Sequence, residues 1–428
     1  MTVGEPPLTL IGRLSRADWL DRERIVAWGA ILLSVETAFL GFLVLWHHQI
    51  FGPVDPPAST DFVSFYAAGK LALAGTPALA YDRAAHAAAE AAATVPHAPY
   101  QFFFYPPVYL LLCAALARLP YFAAFYAFQA FSLVAWLSMM KRVLDARDIA
   151  WCLPVLAYPA VFWTLGLGQN AFLTAALLGS MTLLVDRRPI AAGILLGLLC
   201  YKPHLALLAP IVLAAGGHWR TFAAAAVTVA VAVGLSLALF GVETWDAYVG
   251  ALAGAQTVYE DGGIDLSGLV TPYGAARVFG ATSNIGWVVQ LATTALTIVI
   301  VSWIWRRAPG APERFIALAA GILLSIPLSL VYDLMLLTVA MGWLIRLGRG
   351  GGFGPWEKLA LLFCFIVPLI SRDLGRDLHI AVAPLAPAAL IALCVVRTRH
   401  RIHQADAKGA RSDSVPIDCG VRSSMETA

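Results

Sequence analysis

Residues Ile25–Trp46 read IVAWGAILLSVETAFLGFLVLW, an apolar stretch broken by one charged side chain, Glu36. About 20 such residues in a helix cross the roughly 30 Å hydrocarbon core of a bilayer, so the stretch reads as a membrane-spanning helix. It is too long for the apolar part of a cleaved leader, and no small-residue cleavage pattern marks it, so it is expected to stay as an anchor. Arg13, Arg16, Arg22 and Arg24 precede it. Basic flanks remain on the cytoplasmic side, which puts residues 1–24 inside and points the first span outward.

Outward from there the pattern repeats. Of 428 residues, 60% are hydrophobic and 13% are charged, with mean hydropathy +0.76. Soluble domains carry about 25% charged residues, so much of this surface must face lipid. The expectation is one all-α polytopic membrane domain over 25–398, followed by a polar, disordered cytoplasmic tail at 399–428. The lipid bilayer is its first partner. The net charge of +3 is spread in short basic clusters, and no nucleic-acid partner is expected. Six cysteines without CxxC spacing read as packing residues rather than metal ligands or disulfides.

Basic punctuation sets the topology. The clusters Lys141/Arg142/Arg147, Arg187/Arg188, Arg220, Arg306/Arg307, Arg346/Arg349 and Arg397/Arg399/Arg401 follow one another. With each placed inside, the intervals become out-and-back hairpins, about 11–13 spans in total. Their outer tips are Gly168-Gln169-Asn170, Tyr201-Lys202-Pro203-His204, the loop 242–281, Tyr332-Asp333, and Arg372 to His379. The loop 242–281 carries Glu243, Asp246, Glu260, Asp261 and Asp265 against Arg277, a sign that suits an outer face. Residues 102–140 form either two short spans or one span plus a re-entrant piece. The first outer loop, 47–101, is broken by prolines and holds two helical pieces, about 62–74 and 83–94, expected to lie along the membrane surface.

Polar groups at the edges of spans are costly and tend to mark sites. Asp61 stands before the helical stretch that starts at Phe62; it is either the helix N-cap or a reactive carboxylate. Lys202 divides two short apolar runs, and is either a lysine reaching for the interface or a point charge for a phosphate, with His204 as a second donor. Gln169 and Asn170 are turn residues beside Gly166 and Gly168, or amides for sugar hydroxyls. Tyr332-Asp333 is a hydrogen-bonded turn or part of a site. Tyr105 is an aromatic-belt residue or a site residue. Tyr81-Asp82 looks like the cap of the second loop helix. No Walker A, GxGxxG, HExxH or triad pattern is present. Asp61-Phe62-Val63 lacks the second acid of an Asp-x-Asp metal site, so no metal and no cofactor are expected.

Taken in order, Asp61 with Tyr66-Ala-Ala-Gly, Gly75, Tyr81-Asp82, Tyr105-Pro-Pro, Leu119-Pro120, Gly168-Gln169-Asn170, Lys202-Pro203 and Tyr332-Asp333 resemble the family 87 glycosyltransferases, also described as DUF2029. The resemblance covers about residues 25–345. It implies a GT-C-type fold and a polyprenyl-phosphate sugar donor, mannose-like in the best-known members. It also implies a glycolipid or glycan acceptor and chemistry at the periplasmic face of the inner membrane. It assigns the catalytic base to Asp61. Lys202, His204, Gln169, Asn170, Tyr66, Tyr105, Tyr332, Asp333 and Arg277 are then expected at the substrate, with Ser267 a further match. One carboxylate without a second nucleophilic acid suits inversion. The alternatives are a lipid-linked sugar flippase, which would line a path near the bilayer midplane, and a non-catalytic scaffold, in which these residues would scatter.

Overall fold

The computed structural model describes residues 9–45, 60–94, 99–260 and 265–412. Among them the chain is helical, with one isolated antiparallel bridge between Leu269 and Leu330. A short α1 (Leu10–Arg16) precedes α2 (Arg22–Leu45). Next come α3 (Phe62–Leu73) and α4 (Arg83–Ala93). Then come α5 (Leu110–Leu116), α6 (Tyr121–Val143), α7 (Cys152–Leu156), α8 (Pro159–Leu167) and α9 (Ala171–Leu184). Next are α10 (Pro189–Gly197), α11 (Pro203–Ala206), α12 (Leu208–Ala215), α13 (Trp219–Phe240), α14 (Val242–Glu260) and α15 (Pro272–Val278). The chain closes with α16 (Ser283–Arg307), α17 (Glu313–Ser325), α18 (Leu336–Gly351), α19 (Glu357–Leu378) and α20 (Leu385–Ser412).

Among the described residues, five helices are long and apolar enough to cross a membrane: Arg22–Phe42, α6, α13, α16 and the stretch Val331–Gly351. A sixth forms if α7 and α8, bent by 69° across their break, count as one span. The other apolar runs are shorter helices, among them Pro107–Leu116, Pro189–Tyr201 and Pro203–Ala215. Proline opens each of these three, as its fixed φ favours at a first helical position. Residues 102–140 thus hold one long helix and a short one. The chain is a multi-pass, all-α membrane protein.

Three expectations change. The helix at 62–73 is no surface helix: Phe62 through Gly69 are all buried. A side-chain carbon on Gly69 would lie 2.1 Å from the Cys113 carbonyl oxygen, so α3 and α5 touch backbone to backbone. That contact is short-range packing, invisible to an amphipathicity count. The acidic stretch 242–281 is largely helical, through α14 and α15; the Glu260 side chain and Asp261 lie outside the described residues. The segment from 399 continues α20 as far as Ser412 instead of starting a disordered tail. Arg397 and Arg401 of α20 pair with Glu357 and Glu313, and those acids are 2% and 1% exposed. Residues 413–428, with Cys419, lie outside the described part.

Small residues also join α10 to α13. Gly193 and Gly197 stand four apart, and side-chain carbons there would meet the Thr221 carbonyl at 2.4 Å and the Thr228 Cβ at 2.5 Å. This is close packing of two apolar helices through a GxxxG stripe. The matched order of contacts, Gly193 with Thr221 and Gly197 with Thr228, makes the pair parallel.

Candidate active site

Asp61 occupies the N-cap position of α3, yet its side chain makes no capping bond. The backbone there is helical, φ −57° and ψ −19°, so the carboxylate is turned away from the free amides that a cap would serve. It accepts instead a hydrogen bond from Gln169 Nε2 at 2.6 Å. Gly168 makes this meeting possible. It has φ +67°, and a Cβ would strike Phe125 at 2.7 Å and the Phe62 Cβ at 2.8 Å; only glycine fits both the backbone and the space. Gly166 meets nothing within 4 Å and plays no such part.

Gln169 is held on several sides. Gln129 of α6 donates to its backbone carbonyl at 3.1 Å. Tyr105 directs its hydroxyl to Gln169 Oε1 at 3.5 Å, the long end of a hydrogen bond. Tyr81 donates to the Tyr105 carbonyl at 2.9 Å. Asn170 donates to the Tyr109 hydroxyl at 3.2 Å, while its own Oδ1 is buried without a partner.

Three tyrosines bridge to the second half of the site. The rings of Tyr105 and Tyr109 stack at 4.5 Å and those of Tyr109 and Tyr201 at 5.1 Å. Tyr201 shares a 2.7 Å hydrogen bond with Thr174. Next to it Lys202 Nζ meets Asp333 Oδ1 at 2.9 Å, with both side chains about 95% buried. The ammonium also lies 5.3 Å from the centre of the Tyr332 ring. Ser329 Oγ and the Leu330 amide both donate to the other Asp333 oxygen at 3.2 Å. Asp333 therefore serves as turn residue and as counter-ion together. His204 feels the charges of both Lys202 and Asp333.

The two halves are electrostatically one site. Burial pushes the Asp61 carboxyl up to about 6, while the Gln169 bond and the positive charge of Lys202 pull it down. Tyr105 senses both Asp61 and Asp333. Below α3, His86 donates its Nε2–H to the Ser64 carbonyl at 3.1 Å. Burial lowers His86 to about 4 and raises Glu90 to about 8, so both are neutral near pH 7.

A model of glycosyltransferase family 87 matches residues 103–337, more than half of the chain. The protein belongs to glycosyltransferase family 87. No curated protein and no solved structure matches it. The matched stretch of this family 87 transferase contains Tyr105, Gln169, Asn170, Lys202, His204, Arg277, Tyr332 and Asp333; Asp61 and Tyr66 precede it.

The fold gathers Asp61, Gln169, Asn170, Tyr105, Lys202, Tyr332, Asp333 and His204. It gives three others different contacts. Tyr66 donates to the Leu119 carbonyl at 3.0 Å and packs edge-on against Tyr121. Arg277 donates to the Tyr273 hydroxyl at 3.3 Å. Ser267 donates to Asp265 at 2.6 Å, and Asp265 pairs with Arg372. Sequence reasoning passed over Gln129, Tyr109, Thr174 and Ser329. The spacing of Tyr105 and Tyr109 around two prolines was the available signal; an interior glutamine in an apolar span was the other.

Proposed function

We propose that this family 87 transferase moves a sugar from a polyprenyl-phosphate donor to a hydroxyl of a glycolipid or glycan at the periplasmic face of the inner membrane. Asp61 acts as the base. The observation that carries the assignment is a carboxylate that neither caps its helix nor pairs with a cation, is raised by burial toward neutrality, and shares a buried polar cluster with a fixed lysine.

The acceptor oxygen attacks the anomeric carbon, its proton passes to Asp61, and the bond from that carbon to the phosphate oxygen breaks. One displacement inverts the anomeric centre. Gln169 aims the carboxylate, since its amide nitrogen is bound to Asp61 and its carbonyl faces Tyr105. The donor phosphodiester carries one negative charge and the released polyprenyl phosphate approaches two. The departing group therefore needs cationic stabilisation rather than a general acid. Lysine has three N–H donors; Asp333 takes one, leaving two for phosphate oxygens. Asp333, fixed by Ser329 and Leu330, sets the direction of those two. The stacked rings of Tyr105, Tyr109 and Tyr201 form a rigid spacer that fixes Gln169 relative to Lys202. Mannose is the first sugar to test.

Membranes containing the protein are incubated with a panel of polyprenyl-phosphate sugars and lipid acceptors. Transfer from one of them, lost in Asp61→Asn at normal protein level, is the expected result. Full transfer by Asp61→Asn removes the carboxylate from the role of base.

A further inference from the structure

At the opposite end of α10 from Lys202 lies a cavity of about 550 Å³ lined by Arg188, Pro189, Ile190, Ala191, Ile194 and Arg220. It sits between the first turns of the parallel pair α10 and α13. Three features point to one kind of occupant. Both arginines are exposed, and among the described residues no acid pairs with either; nearby Asp186 is taken by Arg314 at 2.8 Å. The rest of the lining is apolar, and Ile190 and Ile194 are 63% and 45% exposed. The flanking span α13 has only 6% of its apolar window buried inside the protein, so its outer face is left to lipid, and Trp219 at its start is 61% exposed, as suits the headgroup level.

We propose that this cavity binds an anionic diacyl phospholipid, its phosphate between Arg188 and Arg220 and an acyl chain along Ile190 and Ile194. Two guanidiniums give planar, paired donors to phosphate oxygens, and basic pockets between membrane helices take anionic headgroups in this way. A soluble phosphate would leave the apolar wall bare, and a zwitterionic lipid would bring its own cation against two arginines. The glycine stripe at 193 and 197 holds α10 against α13 and so keeps the two arginines at one separation. The lipid would clamp that pair from the outside, a full helix length from the transfer site.

The test uses the full chain in neutral detergent and counts bound lipid by native mass spectrometry during titration with phosphatidylglycerol or phosphatidylcholine. The wild type should prefer phosphatidylglycerol, and Arg188→Gln/Arg220→Gln should weaken that binding at least about tenfold, because two charge-assisted contacts are lost. Ile194→Trp, which fills the apolar part and leaves the charges, should weaken it as well. Millimolar inorganic phosphate should not displace the lipid. Equal phosphatidylglycerol binding by wild type and the double glutamine variant overturns the proposal. So does equal affinity for the two lipids, or displacement by inorganic phosphate.

Discussion

Asp61 shows how burial and reactivity are linked. A carboxyl raised to about 6 is mostly ionised at neutral pH and still basic enough to accept a proton. Turnover should rise as pH climbs through about 6 and level off above it, because only the deprotonated form is a base. Asp61→Asn should reduce transfer about 10²- to 10⁴-fold and abolish that limb, while its thermal unfolding stays at or above wild type, since a penalised buried charge is gone. Lys202 and Asp333 behave differently. Asp333→Asn leaves a buried ammonium without its counter-charge, at a cost of about 3–5 kcal/mol. Adding Lys202→Met should restore thermal stability without restoring transfer; recovered transfer would show that the lysine is dispensable. Glu90 has its own signature. Its folded value of about 8 is above that of an unfolded chain, so its contribution to stability is complete at acid pH and fades as pH rises through about 8. Glu90→Gln should remove that loss, and melting curves compared between acid pH and about pH 8 would reveal it.

At the scale of elements, glycines decide which helices meet. Gly69 lets α3 touch α5, and Gly193 with Gly197 lets α10 touch α13. A side chain at any of these must push backbone, not a flexible tip. Gly69→Val and Gly197→Val should each destabilise by about 1–3 kcal/mol or more, read as lower melting temperatures in detergent. Gly69→Val should also reduce transfer, because α3 carries Asp61 at its start. Gly75 and Gly217 have open space around them, but their positive φ makes them poor controls; Gly250, with neither constraint, is the suitable one, and Gly250→Ala should be silent.

Across the whole molecule, the last helix ties its neighbours together. Arg397 and Arg401 neutralise Glu357 of α19 and Glu313 of α17. Arg314, also buried, joins Asp186 and His218 and lies over the Trp305 ring. Ending the chain after Val396 would strand two buried carboxylates, each costing several kcal/mol. Such a truncation should lower the melting temperature and the yield of folded protein, and transfer should fall with the amount folded rather than with pH. The transfer site and this charged belt occupy different parts of the fold, so defects in the two should be separable.

The apolar runs, their basic punctuation and the breaks at Gly168-Gln169-Asn170, Lys202-Pro203 and Tyr332-Asp333 are all local properties of the chain, and hydropathy summed along it was enough to require a many-pass helical membrane protein. The sites of interest were legible for the same reason: polar residues stand out in an apolar background. Their partners were not. Gln169 reaches Asp61 across 108 residues and Lys202 reaches Asp333 across 131, and no periodicity encodes which helix break faces which. That choice rests on close packing, on a glycine at 168 that admits Phe62 and Phe125 and a glycine at 69 that admits Cys113. The same packing drew α3 off the membrane surface into the interior, where burial rather than sequence raises the carboxyl of Asp61 at its start to about 6.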